Sequence, residues 1–300
     1  MACDNVKNFE VVLADSSVVS ANADENPDIF RALKGGGSNF GIVTRFDLFT
    51  KPSHQLWYTL KIYNIASSPA IMAAAVSVQK AMENDSRIGF FLNINTGFIT
   101  AGMLYLGWQD KPPKAFKAFD EITPMQIAIP ETNGTHLEIA RLLAMPAGLK
   151  REVGTSTTLV DAELYLELQR ILHDILTSTT VNGTPTSESF SMNFTIQPMS
   201  PAAVAKGKEQ NRNCMNIKPV SQAWIAMVVQ WSDSAEDELA RKLISQLTTS
   251  IEAKAKERNK HLEFLFMNDA SYTQDPLKSY GEESLGFLRA IGNVEVEPYW

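Results

Sequence analysis

The sequence predicts an α+β fold: an antiparallel sheet with helices on one face, preceded by a smaller α+β block near the start of the chain. Three observations point there. From Leu56 onward, strand-like apolar runs alternate with amphipathic helical patterns. Residues 88–95 and 99–106 read as a hairpin turning at Thr96-Gly97-Phe98, which requires antiparallel pairing. The two long helical patterns, 161–177 and 234–256, are apolar along one side only, so each can cover one sheet face.

The opening block is a strand pair, 9–13 and 17–21, around the polar turn Ala14-Asp15-Ser16. A helix follows. Pro27 suits its first turn, and Ile29, Phe30 and Leu33 give it one apolar side. Gly35, Gly36 and Gly37 end it, because glycine accepts left-handed backbone angles and lets another group approach closely. Residues 42–49 then alternate as a β-branched strand. These elements alone are too few to bury a core.

The middle of the chain supplies the sheet. Strands are predicted at 56–63, 88–95, 99–106, 150–160, 188–197 and 222–231, with 262–267 closing the sheet. Helices are predicted at 68–82 behind Pro69, at 115–121, at 134–143, from Asp161 as N-cap to about residue 177, and from Asp233 or Ser234 to about residue 256. A last helix spans 279–290. One sheet face meets helices and the other must meet something else. Most of the aromatic and methionine side chains on these strands (Phe90, Phe91, Met103, Tyr105, Trp108, Met192, Phe194, Trp224, Met227, Trp231) belong to the core, and a minority on the uncovered face can line an apolar pocket.

Composition narrows the function. The 300 residues are 44% hydrophobic and 20% charged, enough for an ample core, and the net charge of -7 opposes non-specific nucleic-acid binding. No apolar run approaches the ~20 residues of a membrane span. Cys3 and Cys214 form neither a disulfide framework nor a metal pattern, so no metal is expected, and each reads as a small buried hydrophobe. Asn84, Asn133, Asn182 and Asn193 head N-x-S/T triplets, which fit a secreted glycoprotein but also arise by chance; no signal-peptide pattern opens the chain, and the compartment stays open.

Gly35, Gly37 and Gly41 do not match a dinucleotide fingerprint, because the spacing differs and the order is helix, turn, strand. No Gly-Lys-Ser/Thr ends a Walker loop. What remains is a turn with bare backbone amides, able to lie against a flat or anionic ligand, or simply a tight structural turn.

Two blocks carry a family resemblance. The first comprises Ala2-Cys3-Asp4-Asn5-Val6, the run 9–19 and the stretch from Asp28 through Gly35-Gly36-Gly37-Ser38-Asn39-Phe40-Gly41 to Phe46. The second comprises Phe266-Met267-Asn268-Asp269-Ala270-Ser271, Gln274-Asp275-Pro276 and Ser279-Tyr280-Gly281-Glu282-Glu283-Ser284-Leu285. Together they resemble the FAD-linked oxidases with a vanillyl-alcohol-oxidase (PCMH-type) flavin fold, in the berberine-bridge-enzyme-like branch common in fungi, over roughly residues 2–290.

The resemblance implies three domains: 1–53, the later part of the FAD-binding domain; 54–265, a substrate-binding α+β domain whose uncovered sheet face roofs the flavin; and 266–300, a return to the FAD-binding domain, shortened at its end. It implies FAD as cofactor and oxidation of a small organic substrate of specialised metabolism, with oxygen as acceptor. The family's earlier portion, with the diphosphate loop and often a flavin-linked histidine, has no match here. None of His54, His136, His173 or His261 stands in the attachment context. Gly41, Ile42 and Val43 would offer backbone groups to the adenosine side of FAD, and Asn268 would approach the isoalloxazine ring. Asp269 stands where many plant members carry a tyrosine base; a carboxylate with a tuned pKa can serve, or can cap the next turn. Tyr272, Tyr280 and His54 are further base candidates. The expected partner is a small molecule, with no nucleic acid or membrane, and a homodimer or a complementary polypeptide remains open. The alternative is a cofactor-free cyclase or ligand-binding remnant that uses the substrate pocket without redox chemistry.

Overall fold

The computed structural model of the chain describes residues 1–50, 55–145, 147–181, 189–209 and 213–292. In chain order the elements are β1 Val6–Val12, β2 Val18–Asn22, α1 Pro27–Leu33, β3 Ile42–Leu48, β4 Gln55–Asn64, α2 Ser68–Met82, β5 Ile88–Ile94, β6 Phe98–Leu106, β7 Gln126–Thr135, α3 His136–Leu142, β8 Lys150–Leu159, α4 Ala162–Val181, β9 Ser191–Met199, α5 Pro201–Lys208, β10 Gln222–Trp231, α6 Asp237–Glu257, β11 His261–Leu262, α7 Pro276–Ser279 and α8 Glu282–Gly292. They fall into two compact units: Met1–Pro52 with Pro201–Val220 and Glu263–Trp300, and Ser53–Ser200 with Ser221–Leu262. Residues 201–220, which the sequence reading assigns to the middle domain, group with the first unit. There the side chains of Cys214 and Met215 press on Gly35.

In the first unit β1 lies between β2 and β3, antiparallel to both. Val6, Phe9, Val11 and Ala21 are buried against Ile29, Phe30 and Leu33 of α1, so the apolar side of α1 covers the sheet as its sequence requires. Phe9 meets Phe30 and Phe46 edge-on, with ring centroids 5.8 and 5.4 Å apart. The closing helix of the chain is two helices, α7 and α8, because Gly281 between them takes φ 86°.

The second unit holds a sheet of order β11-β8-β10-β9-β5-β6-β4-β7. Alternate side chains of the central strands point into one core: Ile88, Phe90, Leu92 and Ile94 from β5, Met192, Phe194 and Ile196 from β9, and Ala223, Ile225, Met227, Val229 and Trp231 from β10. Ile71, Ala75 and Val78 of α2, Leu164, Leu168 and Leu172 of α4, and Leu243, Leu247 and Ile251 of α6 complete that core, so these three helices share one face of the sheet. α3 is the exception. Its Ile139 packs with Leu56, Tyr58, Leu104 and Ile129 at the β4–β7 end.

Two expectations change. Sequence reading finds no strand at 126–135, yet β7 pairs with β4 there. Pro130 and the polar run after it hide the pattern, and an edge strand tolerates proline because one side of it is unpaired. The strand expected at 262–267 is only His261–Leu262. Beyond it the chain leaves the sheet: the N–H of Leu265 donates to Ser279 Oγ at 3.0 Å, and Phe264 stacks on Tyr280.

The ends of α4 and α6 are tied by charge. Asp161 caps α4 by accepting the Leu164 N–H at 2.8 Å, and the Lys260 ammonium lies 3.2 Å from it. Arg258 reaches Glu163 at 2.6 Å and Glu167 at 3.0 Å. Burial alone would raise the Asp161 carboxyl; the Leu164 N–H and Lys260 outweigh it and hold the carboxyl below its ordinary value. A depressed acid contributes stability above its unfolded value and loses it as pH falls through the folded value. Denaturation midpoints of the wild type and Asp161→Asn should therefore differ at neutral pH, with the wild type higher, and converge in acid. A constant gap across pH would remove the charge from this account. Among the described residues no helix is long and apolar enough to cross a membrane.

Candidate functional site

In the first unit the glycine bend is held from several sides. Tyr280 is buried, and its hydroxyl donates to the Gly35 carbonyl at 2.9 Å. The N–H of Cys214 donates to the Lys34 carbonyl at 3.3 Å. The Lys34 ammonium donates to the Val6 carbonyl at 3.1 Å and lies 3.7 Å from the centroid of the Phe30 ring. A Cβ added at Gly37 would lie 3.2 Å from Met267 Sδ, so the bend and the 3-10 turn Met267–Asp269 are neighbours. At the outer part of the bend, the backbone N–H groups of Gly37, Ser38, Asn39 and Phe40 find no acceptor among the described residues, while the Asn39 side chain closes the turn onto the Gly36 carbonyl at 2.7 Å.

The sequence-predicted residues sit as follows. Gly41 takes φ 135°, and a Cβ there would lie 2.6 Å from the Val12 carbonyl oxygen, so packing on β1 alone demands glycine. Ile42 is exposed, and Val43 packs on the core of the first unit. Asn268 is exposed and Asp269 half-buried, both in the turn beside Gly37 rather than at the end of a strand. Tyr272 is exposed. Tyr280 is a clamp rather than a base: burial drives its hydroxyl far above the ordinary phenol value. Burial likewise pushes the Cys214 thiol up to about 12, in keeping with a packing role. His54 lies outside the described residues. Tyr280→Phe should cost about 1 kcal/mol by leaving the Gly35 carbonyl unpaired. The check is a lowered melting point with faster amide exchange at residues 35–40; unchanged exchange would mean that the hydroxyl does not pin the bend.

A cavity of ≈ 680 Å³ also opens in the first unit, lined by Lys7, Arg31 and Lys34 together with Asp4, Asp24 and Asp28. None of Gly41, Ile42, Val43 or Asn268 lines it. Its balanced charge favours neither an anion nor a cation.

In the second unit, the helix-free face of the sheet resolves which aromatics leave the core. Phe91 and Trp224 alternate with core residues and so point to this face. Phe91 lies across Gly102 of β6, where an added Cβ would meet its ring at 2.1 Å. Beside them, where β5 meets β9, Asn93 donates at 2.9 Å to both Asn193 Oδ1 and Thr195 Oγ1, and Asn95 donates to Asn93 Oδ1 at 2.7 Å. All four polar side chains are half-buried. Sequence reasoning missed this cluster; period-two alternation around Asn93 and Thr195 was the only signal for it.

The chain thus holds an antiparallel sheet with three helices on one face and a small unit containing a glycine bend. The chain has the fold of the berberine-bridge-enzyme-like oxidases, matching Physcomitrella patens BBE-like 1 with a TM-score of 0.75 at 17% identity over 97% of this chain and 62% of that one. No protein-family model matches. In sequence, an FAD-dependent monooxygenase of Arthrobotrys oligospora is 30% identical over 283 residues, 94% of this chain and 54% of that protein. The bifunctional solanapyrone synthase of Alternaria solani is 30% identical over 293 residues, 96% of this chain and 55% of that protein. In fold the chain is thus similar to the berberine-bridge-enzyme-like oxidases, and in sequence to fungal FAD-dependent monooxygenases. It spans about half the length of these curated relatives, 54% and 55%.

Proposed function

We propose that the chain serves an FAD-dependent oxidoreductase of specialised metabolism, which oxidises a small organic substrate with oxygen as acceptor. The observation that carries this reading is similarity along 94% of the chain to a protein named an FAD-dependent monooxygenase. The tight glycine turn at residues 35–41, neighbour to the Met267–Asp269 turn, supports it. When bound, the flavin would accept a hydride from the substrate. The chain's own residues would do the rest. The backbone of Gly41, Ile42 and Val43 would contact the adenosine side, and the Asn268 amide, which both donates and accepts, would contact the ring. Asp269, half-buried in its turn, would take the substrate proton on a carboxylate oxygen. Tyr272 is the lesser candidate for that proton. Taken by itself, the helix-free face of the second unit offers a small molecule the half-buried polar side chains Asn93, Asn193 and Thr195 next to Phe91.

A second reading rests on the polar cluster of the second unit, whose hydrogen bonds run among its own side chains. On that reading the chain shapes a ligand as a cofactor-free cyclase or binder.

The test is an FAD titration of the purified chain, alone and co-expressed with a polypeptide matching the relatives' unmatched residues. Retention of flavin colour through gel filtration in either arm, weakened by Gly37→Val, is expected. No retention in either arm would overturn the flavin reading and leave the second. An active, flavin-loaded Asp269→Asn variant would remove Asp269 from the base role.

A further inference from the structure

The sequence holds N-x-S/T triplets at Asn84, Asn133, Asn182 and Asn193, and the fold separates those it describes. A glycan is bulky and hydrated, so its asparagine must remain at the surface once the chain has folded. In Asn133-Gly134-Thr135 both polar side chains are committed to the fold. Asn133 donates to the Gln109 carbonyl at 2.8 Å and accepts the Gln109 N–H at 2.9 Å. Thr135 caps α3 by accepting the Glu138 N–H at 3.3 Å. In Asn193-Phe194-Thr195, on β9, the amide of Asn193 and the hydroxyl of Thr195 each lie 2.9 Å from the amide of Asn93, and Phe194 between them is completely buried. Asn182 lies outside the described residues.

Asn84-Asp85-Ser86 is placed differently. It lies in the turn between α2 and β5, where the N–H groups of Asn84 and Asp85 both donate to the Ala81 carbonyl at 3.1 Å. Asn84 and Ser86 are exposed, and Asp85 between them is half-buried. Arg87 holds the Asp85 carboxylate through two bonds of 2.9 Å, and the Tyr105 hydroxyl donates to it at 2.7 Å. Fixing the middle side chain leaves the outer two on the surface of a tight turn, where a sugar displaces nothing. We infer that Asn84 is an N-glycan acceptor and that Asn133 and Asn193 are not. The donor is a lipid-diphosphate-linked oligosaccharide. Asn84 Nδ2 forms a bond to C1 of its first sugar, the bond from that carbon to the diphosphate breaks, and the amide gives up one hydrogen as a proton. No electrons change hands. The cysteines do not oppose a secretory route: burial pushes the Cys214 thiol up to about 12 and the half-buried Cys3 thiol up to about 11, so neither is poised to react in an oxidising compartment. The inference is independent of the flavin reading.

The test expresses the full chain in a fungal host behind a cleavable secretory leader, with Asn182→Gln in every arm so that the three described triplets are compared. Peptide N-glycosidase in heavy-oxygen water turns each glycosylated asparagine into a labelled aspartate, which is read from peptide masses. The label is expected at residue 84 and absent at residues 133 and 193. Before the glycosidase, the chain should run above its unmodified size on a gel, and that shift should be lost in Asn84→Gln. It should be lost equally in Ser86→Ala, which keeps the asparagine and changes only the exposed hydroxyl of the triplet. Chain retained in the cells is labelled in the same way from their membrane-enclosed fraction, so poor secretion still gives a reading at residue 84. An unlabelled Asn84 in either fraction, label at Asn133 or Asn193 in secreted protein, or a gel shift that survives Ser86→Ala would overturn the inference.

Discussion

Gly41→Ala is expected to destabilise the three-stranded sheet of the first unit by about 3–5 kcal/mol, the sum of a strained backbone and a steric overlap. The backbone at Gly41 has φ 135°, a region that residues with a Cβ rarely enter. An alanine Cβ would also lie 2.6 Å from the Val12 carbonyl oxygen and 2.7 Å from Val11 Cγ1. A flexible side chain can swing aside, but the Val12 oxygen is backbone of β1, and moving it breaks the pairing of Val12 with Ile42. Gly37→Ala provides the contrast. Its φ of 71° lies in the ordinary left-handed region, and the nearest atom, Met267 Sδ at 3.2 Å, ends a flexible side chain. It should cost only about 1–2 kcal/mol. Hydrogen exchange of the β1 and β3 amides reads both, with near-complete loss of protection in Gly41→Ala and a modest loss in Gly37→Ala. Equal, small effects would mean that the bend does not fix the register of β3.

That contrast marks how far the glycine bend was legible in the sequence. The bend itself follows from residue type alone, as do α2 at Ser68–Met82 and β10 at Gln222–Trp231, whose periodicities are uninterrupted. What each glycine does depends on partners distant in the chain, Met215 for Gly35 and Met267 for Gly37, and no local pattern encodes those. Tyr280 reads in sequence as a polar side chain near an Asn-Asp step, hence as a base candidate; its partner, the Gly35 carbonyl, is 245 residues away. The same limit hides the amide cluster. Alternation in β5 and β9 puts Asn93 and Thr195 opposite the core residues of each strand, but Asn93 and Asn193 are 100 residues apart. Their meeting depends on β5 pairing with a non-consecutive strand. β7 was lost for a different reason: proline and a polar run erased the alternation that marks a strand.

Phe194→Ala tests whether that non-consecutive pairing is held by packing. Phe194 is completely buried, on the helix-covered side of β9, and faces Ile94 across the seam and Met227 on β10. With only three residue pairs joining the halves of the sheet, the fully buried side chains Leu92, Ile94, Phe194 and Ile196 must carry much of the join. Truncation should cost about 3–5 kcal/mol, from lost burial together with an unfilled cavity. Trp57, Trp224 and Trp231 are buried in this same unit, so urea denaturation followed by tryptophan fluorescence reports on it directly. The midpoint should fall sharply with little change in slope. Asn93 and Thr195, paired one step along the strands and pointing the opposite way, should lose their fixed separation once the cavity lets the strands slip. A loss below about 1 kcal/mol, the range of a tolerated core swap, would mean that the hydrogen-bond ladder holds the seam by itself.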